Sequence, residues 1–341
     1  MSLTDEGHYG PKQLNMLKTV WGEGFLSPGG TEEIDQILKG LNLKNKKVLD
    51  IGCGTGGAVF HMIEKYGAKE VIGIDPEPLV IETANNLALK KNLSDKAKFI
   101  CTKPGEYKFE DKSFEAVFSK EAFLHIIDKK NLLIEINEIL ADNGILAVGD
   151  WMRNDDNEPS EQMKEYIAAE GLDMFMCSLE KYGSLLKETG FKVLSLNDRN
   201  KWYLEKVKTE ISDIKGPLYN DVVNLIGKEE ADGALEIWEK LLGVVEKGEH
   251  RPGNFQAVKI SKMDNKLSQS DIDRVIEMAW EDRTTFADIR KQFGIQEKEV
   301  IKLMKENMKR SSFLMWRKRV RGRKTKISPI SDRFKSSNQK S

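Results

Sequence analysis

Residues 46–57 read KKVLDIGCGTGG, an apolar run that stops at a cluster of glycines. A short run such as Val48–Ile51 with a glycine-rich end fits a buried strand that turns sharply into a helix. Gly52, Gly54 and Gly56 permit the tight turn and let a ligand approach the backbone closely. The helix that follows would offer its free N–H groups to a ligand's polar end. Downstream, EVIGID ends in Asp75, 19 residues after Gly56, a spacing that suits a carboxylate gripping ribose hydroxyls. AKFICT, FEAVFS and GILAVGDW are three further apolar runs, with helical patterns over 77–92 and 130–140 between them. YGSLLKETGF followed by KVLSLNDR adds a helix–strand unit, 202–214 and 231–248 read as late helices, and GNFQAVKIS as a final strand. Strands alternating with helices predict an α/β fold with a doubly wound, mostly parallel sheet.

Composition sets the outer bounds. The 341 residues are 39% hydrophobic and 32% charged, which suits a globular chain of one large domain and a small one. No apolar run is long enough to span a bilayer, and MSLTDEGHYG has no apolar core of a secretory signal. Cys53, Cys101 and Cys177 have neither metal spacing nor a disulfide framework. A cytoplasmic, reduced protein is the expectation. The net charge of −1 hides an asymmetry: residues 262–341 hold 21 Lys and Arg against 11 Asp and Glu, a surplus of +10 that leaves the rest at −11. Two units with different partners follow from that split. The boundary is expected at SKMDNKLSQS, giving a large domain over 1–260, a linker over 261–267, a small basic helical domain over 268–326 and a disordered tail over 327–341.

The stretch FSKEAFLHI, residues 118–126, follows the fourth run. Glu121 and His125 stand four apart and would share one face if a helix begins there. Two readings are open: an ion pair at a helix start, or an acid–imidazole couple at the carboxyl end of a strand, where open α/β sheets bind their ligands. The glycine loop is equally open on its own, since nicotinamide-dinucleotide enzymes share the arrangement.

VLDIGCGTGG, GID and FEDKSFEAVFSKE taken together resemble the pattern of class I S-adenosylmethionine-dependent methyltransferases, a Rossmann-like fold. WGEGFLSPGG (21–30), FSKEAFLHI, GDW (149–151) and YGSLLKETGF narrow the resemblance to the phosphoethanolamine N-methyltransferases over residues 9–260. The resemblance implies S-adenosylmethionine as cofactor, S-adenosylhomocysteine as product and no metal. It assigns the cofactor to Leu26, Ser27, Asp50, Gly52, Gly54, Gly56, Asp75, Pro76, Thr102, Lys103, Pro104, Ser119 and Lys120. Tyr9, Trp151 and Tyr166 would meet the acceptor, and Tyr9, Glu121 and His125 would be catalytic. An ammonium has no lone pair, so methyl transfer to nitrogen needs prior proton loss, which a positioned imidazole can accept.

The chain departs from that family at several places. Glu121 stands for the family's Asp, Lys120 for an Arg, and Trp151 for a Tyr. Glu170 and Leu172 fall where the family holds the substrate phosphate with Arg and Tyr, and Leu241, with Lys240 beside it, where a Lys does. Thr102-Lys103-Pro104 replaces an Asp that usually meets adenine. An Arg gives a bidentate grip on phosphate that an acid cannot replace. Arg153 and Arg199 are the remaining candidates for an anion contact. The expected function is N-methylation of a small amine of the phosphoethanolamine or ethanolamine type. The alternatives are N-methylation of glycine, sarcosine or dimethylglycine, or S-methylation of a small thiol acid.

The C-terminal stretch resembles a small bacterial domain family of unknown function over 267–326. TFADIRKQFGIQEKEVIKLMKE has helix-turn-helix rhythm, and KRSSFLMWRKRVRGRKTK interleaves Phe313 and Trp316 with basic residues. Such a face would release counterions from a nucleic-acid backbone. The other reading is a solvated basic face or a dimerisation appendage. A nucleic-acid methyltransferase acting on an exocyclic base amine is expected to carry an Asn/Asp-Pro-Pro-aromatic motif after the fourth strand, where this chain has SKEAF. Small-molecule chemistry is therefore the expectation.

Overall fold

The computed structural model describes residues 9–103, 105–106, 108–260, 267, 269–281 and 284–320. The chain divides into two compact units, one up to Ile260 and one from Ser261. The first unit opens with helices α1 (Pro11–Trp21) and α2 (Gly30–Ile37) and then alternates β1 (Lys47–Ile51), α3 (Gly57–Glu64), β2 (Glu70–Asp75), α4 (Pro78–Lys90), β3 (Ala97–Cys101), β4 (Phe114–Lys120), α5 (Lys129–Ile139) and β5 (Leu140–Asp150). It continues with α6 (Glu161–Glu170), α7 (Leu179–Glu188), β6 (Phe191–Asp198), α8 (Asn200–Lys215), α9 (Tyr219–Ile226), α10 (Lys228–Glu246) and β7 (Gly253–Lys259).

The seven strands form one sheet in the order β3-β2-β1-β4-β5-β7-β6. The first five pair in parallel, and β7 runs antiparallel between β5 and β6. Side chains alternate across the sheet with period two. Leu49, Ile51, Val117, Leu146 and Val148 therefore face α5 and α7, while Val48, Val71, Ala116, Phe118 and Ala147 face α2, α3 and α4. Burial on both faces explains why these strands read as unbroken apolar runs. Two polar side chains of β7 finish neighbouring helices. Gln256 Nε2 donates to the carbonyls of Ile37 (2.8 Å) and Lys39 (3.0 Å), and Lys259 Nζ donates to those of Asn137 and Leu140. Both supply donors to carbonyls that a helix end leaves orphaned.

A third core lies outside the sheet. Met16 and Leu17 of α1, Met163 and Tyr166 of α6, Tyr203 and Val207 of α8, and Trp238, Leu241 and Val244 of α10 pack with one another as a helical layer. The sequence reading contains α8 and α10 but neither α6 nor α9, which are short, ten and eight residues, and pack into this layer rather than on the sheet.

The second unit holds α11 (Gln269–Trp280), α12 (Phe286–Phe293), α13 (Glu297–Asn307) and α14 (Arg310–Val320) among the described residues. Reciprocal caps start two of them, Thr285 with Asp288 and Gln296 with Glu299, and Gly294 ends α12 in the left-handed conformation. The sequence reading has three helical segments here, and α14 is the one it lacks. Its Trp316, expected on a basic face, is fully buried against Val275, Met278 and Ile289, and its indole donates to the Ala279 carbonyl at 2.9 Å. Phe313 packs partly buried on the same core. A ring closed into a core cannot stack on a base, so the expectation is corrected for Trp316. Arg317, Lys318 and Arg319 occupy the last turn of α14, where cations complement the helix dipole. The expected tail over 327–341 and most of the expected linker lie outside the described residues.

Candidate active site

The glycine turn at the end of β1 is left-handed at Gly52 (φ 73°), Gly54 (φ 53°) and Gly56 (φ 92°). A Cβ at Gly52 would lie 2.2 Å from the Ala122 Cβ, so the loop after β4 fits only against a glycine there. Gly56 has a different duty: it lets the rings of Phe60 and Phe99 close over the turn, and it does not line the cavity. Beside the turn, Asp75 ends β2. Its Oδ2 accepts from Gly54 N at 3.0 Å and its Oδ1 from Glu77 N at 3.1 Å. Burial outweighs these two donors and pushes its carboxyl up to about 6. Asp50 is more extreme. It is 1% exposed, neither carboxylate oxygen has a hydrogen-bond partner, and burial, followed by the charge of Asp75, pushes it up to about 8. A buried acid with no partner at a cavity wall awaits a donor or a cation from a ligand.

That cavity measures about 760 Å³, within the range of small-molecule sites. Leu26, Ser27, Asp50, Gly52, Gly54, Asp75, Pro76, Thr102, Lys103 and Lys120 all line it. Thr102 N donates to Asp75 O at 3.0 Å, which fixes the segment after β3 beside the β2 end. Pro104 lies outside the described residues. Ser119 is not brought to the cavity: it is fully buried, and its hydroxyl donates to Ile51 O at 2.7 Å across the β4–β1 seam.

The segment after β4 departs from expectation. No α-helix begins at Glu121. That residue is itself left-handed (φ 55°) and donates its N–H to Gly149 O at 2.7 Å. A non-glycine residue held there stores on the order of 1–3 kcal/mol of strain, a cost that clusters at functional sites. A single 3-10 turn, Phe123–His125, follows, and α5 starts at Lys129 behind its Asp128 cap. The shared helix face foreseen for Glu121 and His125 is thus replaced by two separate anchorages. Glu121 Oε1 pairs with Lys120 Nζ at 3.1 Å, and that ammonium also donates to Ser27 Oγ at 2.5 Å. His125 Nδ1 meets the Asp173 carbonyl at 2.8 Å. A carbonyl only accepts, so Nδ1 carries a proton, and in the neutral form of the ring the lone pair lies on Nε2.

Two further contacts join the same segments. Phe175 N donates to Leu124 O at 2.7 Å, and the buried Lys129 Nζ donates to Phe175 O at 2.5 Å and Ile126 O at 2.9 Å. Below them Leu124 N donates to Asp150 Oδ1 at 3.2 Å, and Tyr182 Oη to Asp150 Oδ2 at 2.6 Å. Burial pushes Asp150 up to about 7.

The far wall comes from the helical layer. Tyr9, Trp21, Trp151, Tyr203, Trp238, Glu170, Leu172 and Leu241 line the same cavity as the glycine turn. Trp21 Nε1 donates to Glu210 Oε1 at 3.0 Å, and burial pushes Glu210 up to about 7. Tyr166, expected at the acceptor, lies fully buried behind the wall, tilted against His250 at 5.7 Å. His250 itself packs 4.7 Å from Trp151, and burial holds its ring down at about 4, hence neutral. The two arginines considered for an anion are engaged elsewhere. Arg153 donates to Asn157 O and pairs with Glu249 at 3.5 Å. Arg199 forks onto Glu33 at 2.6 and 3.2 Å. Neither lines the cavity. Tyr203 and Trp238 escaped the sequence reading because each sits in an amphipathic helix, where an aromatic residue reads as core.

A family model described as a methyltransferase domain matches residues 42–190, and one described as a protein of unknown function (DUF2805) matches residues 273–340. Phosphoethanolamine N-methyltransferase 1 of Zea mays is 30% identical over 261 residues, which are 76% of this chain and 50% of that protein. The phosphoethanolamine N-methyltransferase of Plasmodium falciparum is 29% identical over 211 residues, 61% of this chain and 74% of that one. Among solved structures, Haemonchus contortus phosphoethanolamine N-methyltransferase 2 in complex with phosphomonomethylethanolamine and S-adenosylhomocysteine superposes with a TM-score of 0.68 at 25% identity, covering 76% of this chain and 60% of that one. The chain spans about half the length of the plant relatives it matches. Its sheet order and flanking helices are those of the class I methyltransferase fold.

Proposed function

We propose that this chain, which carries a methyltransferase domain similar to the phosphoethanolamine N-methyltransferases and a C-terminal region matching a family of unknown function, transfers a methyl group from S-adenosylmethionine to the nitrogen of a small amine. The observation that carries the reading is one continuous cavity with two chemically distinct halves. One half has the glycine turn, the two buried acids Asp50 and Asp75, and the Ser27–Lys120 pair. The other has aromatic rings and carboxylates.

The residues present fit the cofactor. Asp75 retains free lone pairs for ribose hydroxyls beyond its two backbone donors, Asp50 has both oxygens unpartnered, and Ser27 with Lys120 can take a carboxylate. When bound, S-adenosylmethionine supplies a methyl group on a sulfonium, open to in-line attack. The work left to the chain is positioning and proton removal. The zipped segments 123–129 and 173–175 hold His125 at the cavity rim through its Nδ1, and its imidazole is the group to accept the proton an ammonium must lose. Glu121, fixed through Lys120, keeps negative charge beside the attacking amine. Tyr9 stays protonated, because burial, followed by the charge of Asp75, raises its hydroxyl further above the usual range. It can orient the amine as a hydrogen-bond partner.

A screen for S-adenosylhomocysteine release over ethanolamine, its phosphate, glycine, sarcosine, dimethylglycine and small thiol acids tests the reading. Turnover with an amine supports it. Turnover confined to thiols, or to nucleic acid, overturns it.

A further inference from the structure

We propose that the acceptor half of the cavity is built for a cationic amine that carries no phosphate, with Glu170 as its counter-charge. The inference rests on the methyltransferase reading above and narrows its acceptor.

The wall facing the glycine turn is aromatic on several sides. Tyr9, Trp21, Trp151, Tyr203 and Trp238 all line it, and Trp21 stands edge-on to Trp238 at 5.9 Å. Rings of this kind attract an ammonium through their faces, and methylated ammonium ions most of all, since these shed water easily. The acidic side chains around the rings face no lysine or arginine on this side; burial raises the carboxyls of Glu170 and Glu210, so an ammonium entering among them is what favours their ionised form. Glu121 and Glu170 line the cavity, and Glu210 holds the indole N–H of Trp21 from behind. Glu170 is the last residue of α6, ahead of the left-handed Gly171. The carboxyl end of that helix adds its own partial negative charge at the same spot. Consistent with this crowding, the Tyr203 hydroxyl is raised well above its usual range by burial first, then by Glu210, Glu121 and Glu170.

Among the described lining residues on this side there is no lysine or arginine to balance a phosphate. The lysines that line the cavity are Lys103 and Lys120. Lys103 follows β3, on the cofactor side, and pairs with Glu106 at 3.0 Å. Lys120 is held by Ser27 and Glu121. A phosphate monoester would bring nearly two negative charges against Glu121 and Glu170, with no guanidinium fork to receive it. A bare ammonium meets the opposite: two carboxylates, a helix carboxyl end and several ring faces. Leu172 and Leu241 leave the remaining surface apolar, suited to a short hydrocarbon body.

Choline and phosphocholine, which differ only by the phosphate, are the probes. Each is titrated calorimetrically into the full-length protein saturated with S-adenosylhomocysteine. Choline is expected to bind at least tenfold more tightly than phosphocholine. Glu170→Gln should lose at least tenfold in choline affinity while S-adenosylhomocysteine affinity stays within twofold, which also reports that the variant is folded. Glu170→Arg should reverse the order of the two probes. Phosphocholine binding as tightly as choline, or choline affinity untouched by Glu170→Gln, overturns the proposal. If S-adenosylhomocysteine binds and neither probe does, this refinement fails and the methyltransferase reading stands. If S-adenosylhomocysteine does not bind, both fail.

Discussion

At the level of single residues, the proposed cofactor site turns on Asp75. Its carboxyl is pushed up to about 6 by burial, and a ribose hydroxyl donates better to the ionised form. Cofactor binding therefore pulls the proton off. Below about pH 6 the ionisation of Asp75 should make S-adenosylhomocysteine binding weaken by up to about tenfold per unit of pH, and above it only the Asp50 carboxyl, pushed up to about 8, leaves a further rise. Calorimetry from pH 5 to pH 8 measures this, and Asp75→Asn should flatten the acid limb. Asp75→Ala should cost about 1.5–3 kcal/mol of binding at neutral pH, the worth of charged hydrogen bonds. His125 is the proposed base of the other half. His125→Ala should lower kcat on the order of 10²-fold, as loss of a general base does, with cofactor affinity unchanged. Glu121→Gln should cost less, because Glu121 is tied to Lys120 and serves as fixed charge.

Among the elements, the decisive pair is the 3-10 turn Phe123–His125 and the stretch 172–175 after α6. Lys129 is the bolt between them. Burial holds its ammonium below the usual range, so it stays only because carbonyls receive it. Lys129→Met would leave the carbonyls of Ile126 and Phe175 without this donor and should cost about 1–3 kcal/mol of stability. It should speed amide exchange over 172–176 and raise the KM for the acceptor, with S-adenosylhomocysteine affinity unchanged. If exchange there stays at the parent rate, Lys129 is not what holds the two segments together. These elements also mark how far the sequence could be read. The apolar runs and the glycine turn were legible because a parallel strand buried on both faces leaves an unbroken signal, and Asp75 because its spacing is set by one strand–helix–strand unit. Glu121 was misplaced because four-residue spacing implies a shared face only within an α-helix, and a left-handed residue cannot be foreseen from a Glu. Ser119 was misassigned because strand neighbours alternate: Lys120 points into the cavity and Ser119 into the β4–β1 seam. Tyr166, Tyr203 and Trp238 looked alike in sequence. The layering of α6, α8 and α10 puts the first behind the wall and the other two on it.

At the scale of the whole molecule the chain joins two units with separate cores. Trp316 is the centre of the second, and Trp316→Ala should destabilise that unit by about 3–5 kcal/mol. The unfolding transition that S-adenosylhomocysteine shifts upward belongs to the first unit and should stay in place. With Trp316 enclosed, the basic residues of α14 offer a nucleic acid mainly phosphate attraction. Any nucleic-acid binding there should lack sequence preference and weaken steeply with salt in a gel shift. The central claim concerns the first unit: its cavity moves a methyl group from sulfur to an amine nitrogen. The direct measurement follows S-adenosylmethionine labelled with ¹³C in the methyl group by NMR, with full-length protein and the best amine from the screen. The account expects the label on nitrogen, released in step with S-adenosylhomocysteine and slowed on the order of 10²-fold by His125→Ala. Label that stays on S-adenosylmethionine with every amine offered, or that appears on sulfur, carbon or nucleic acid instead, would contradict it.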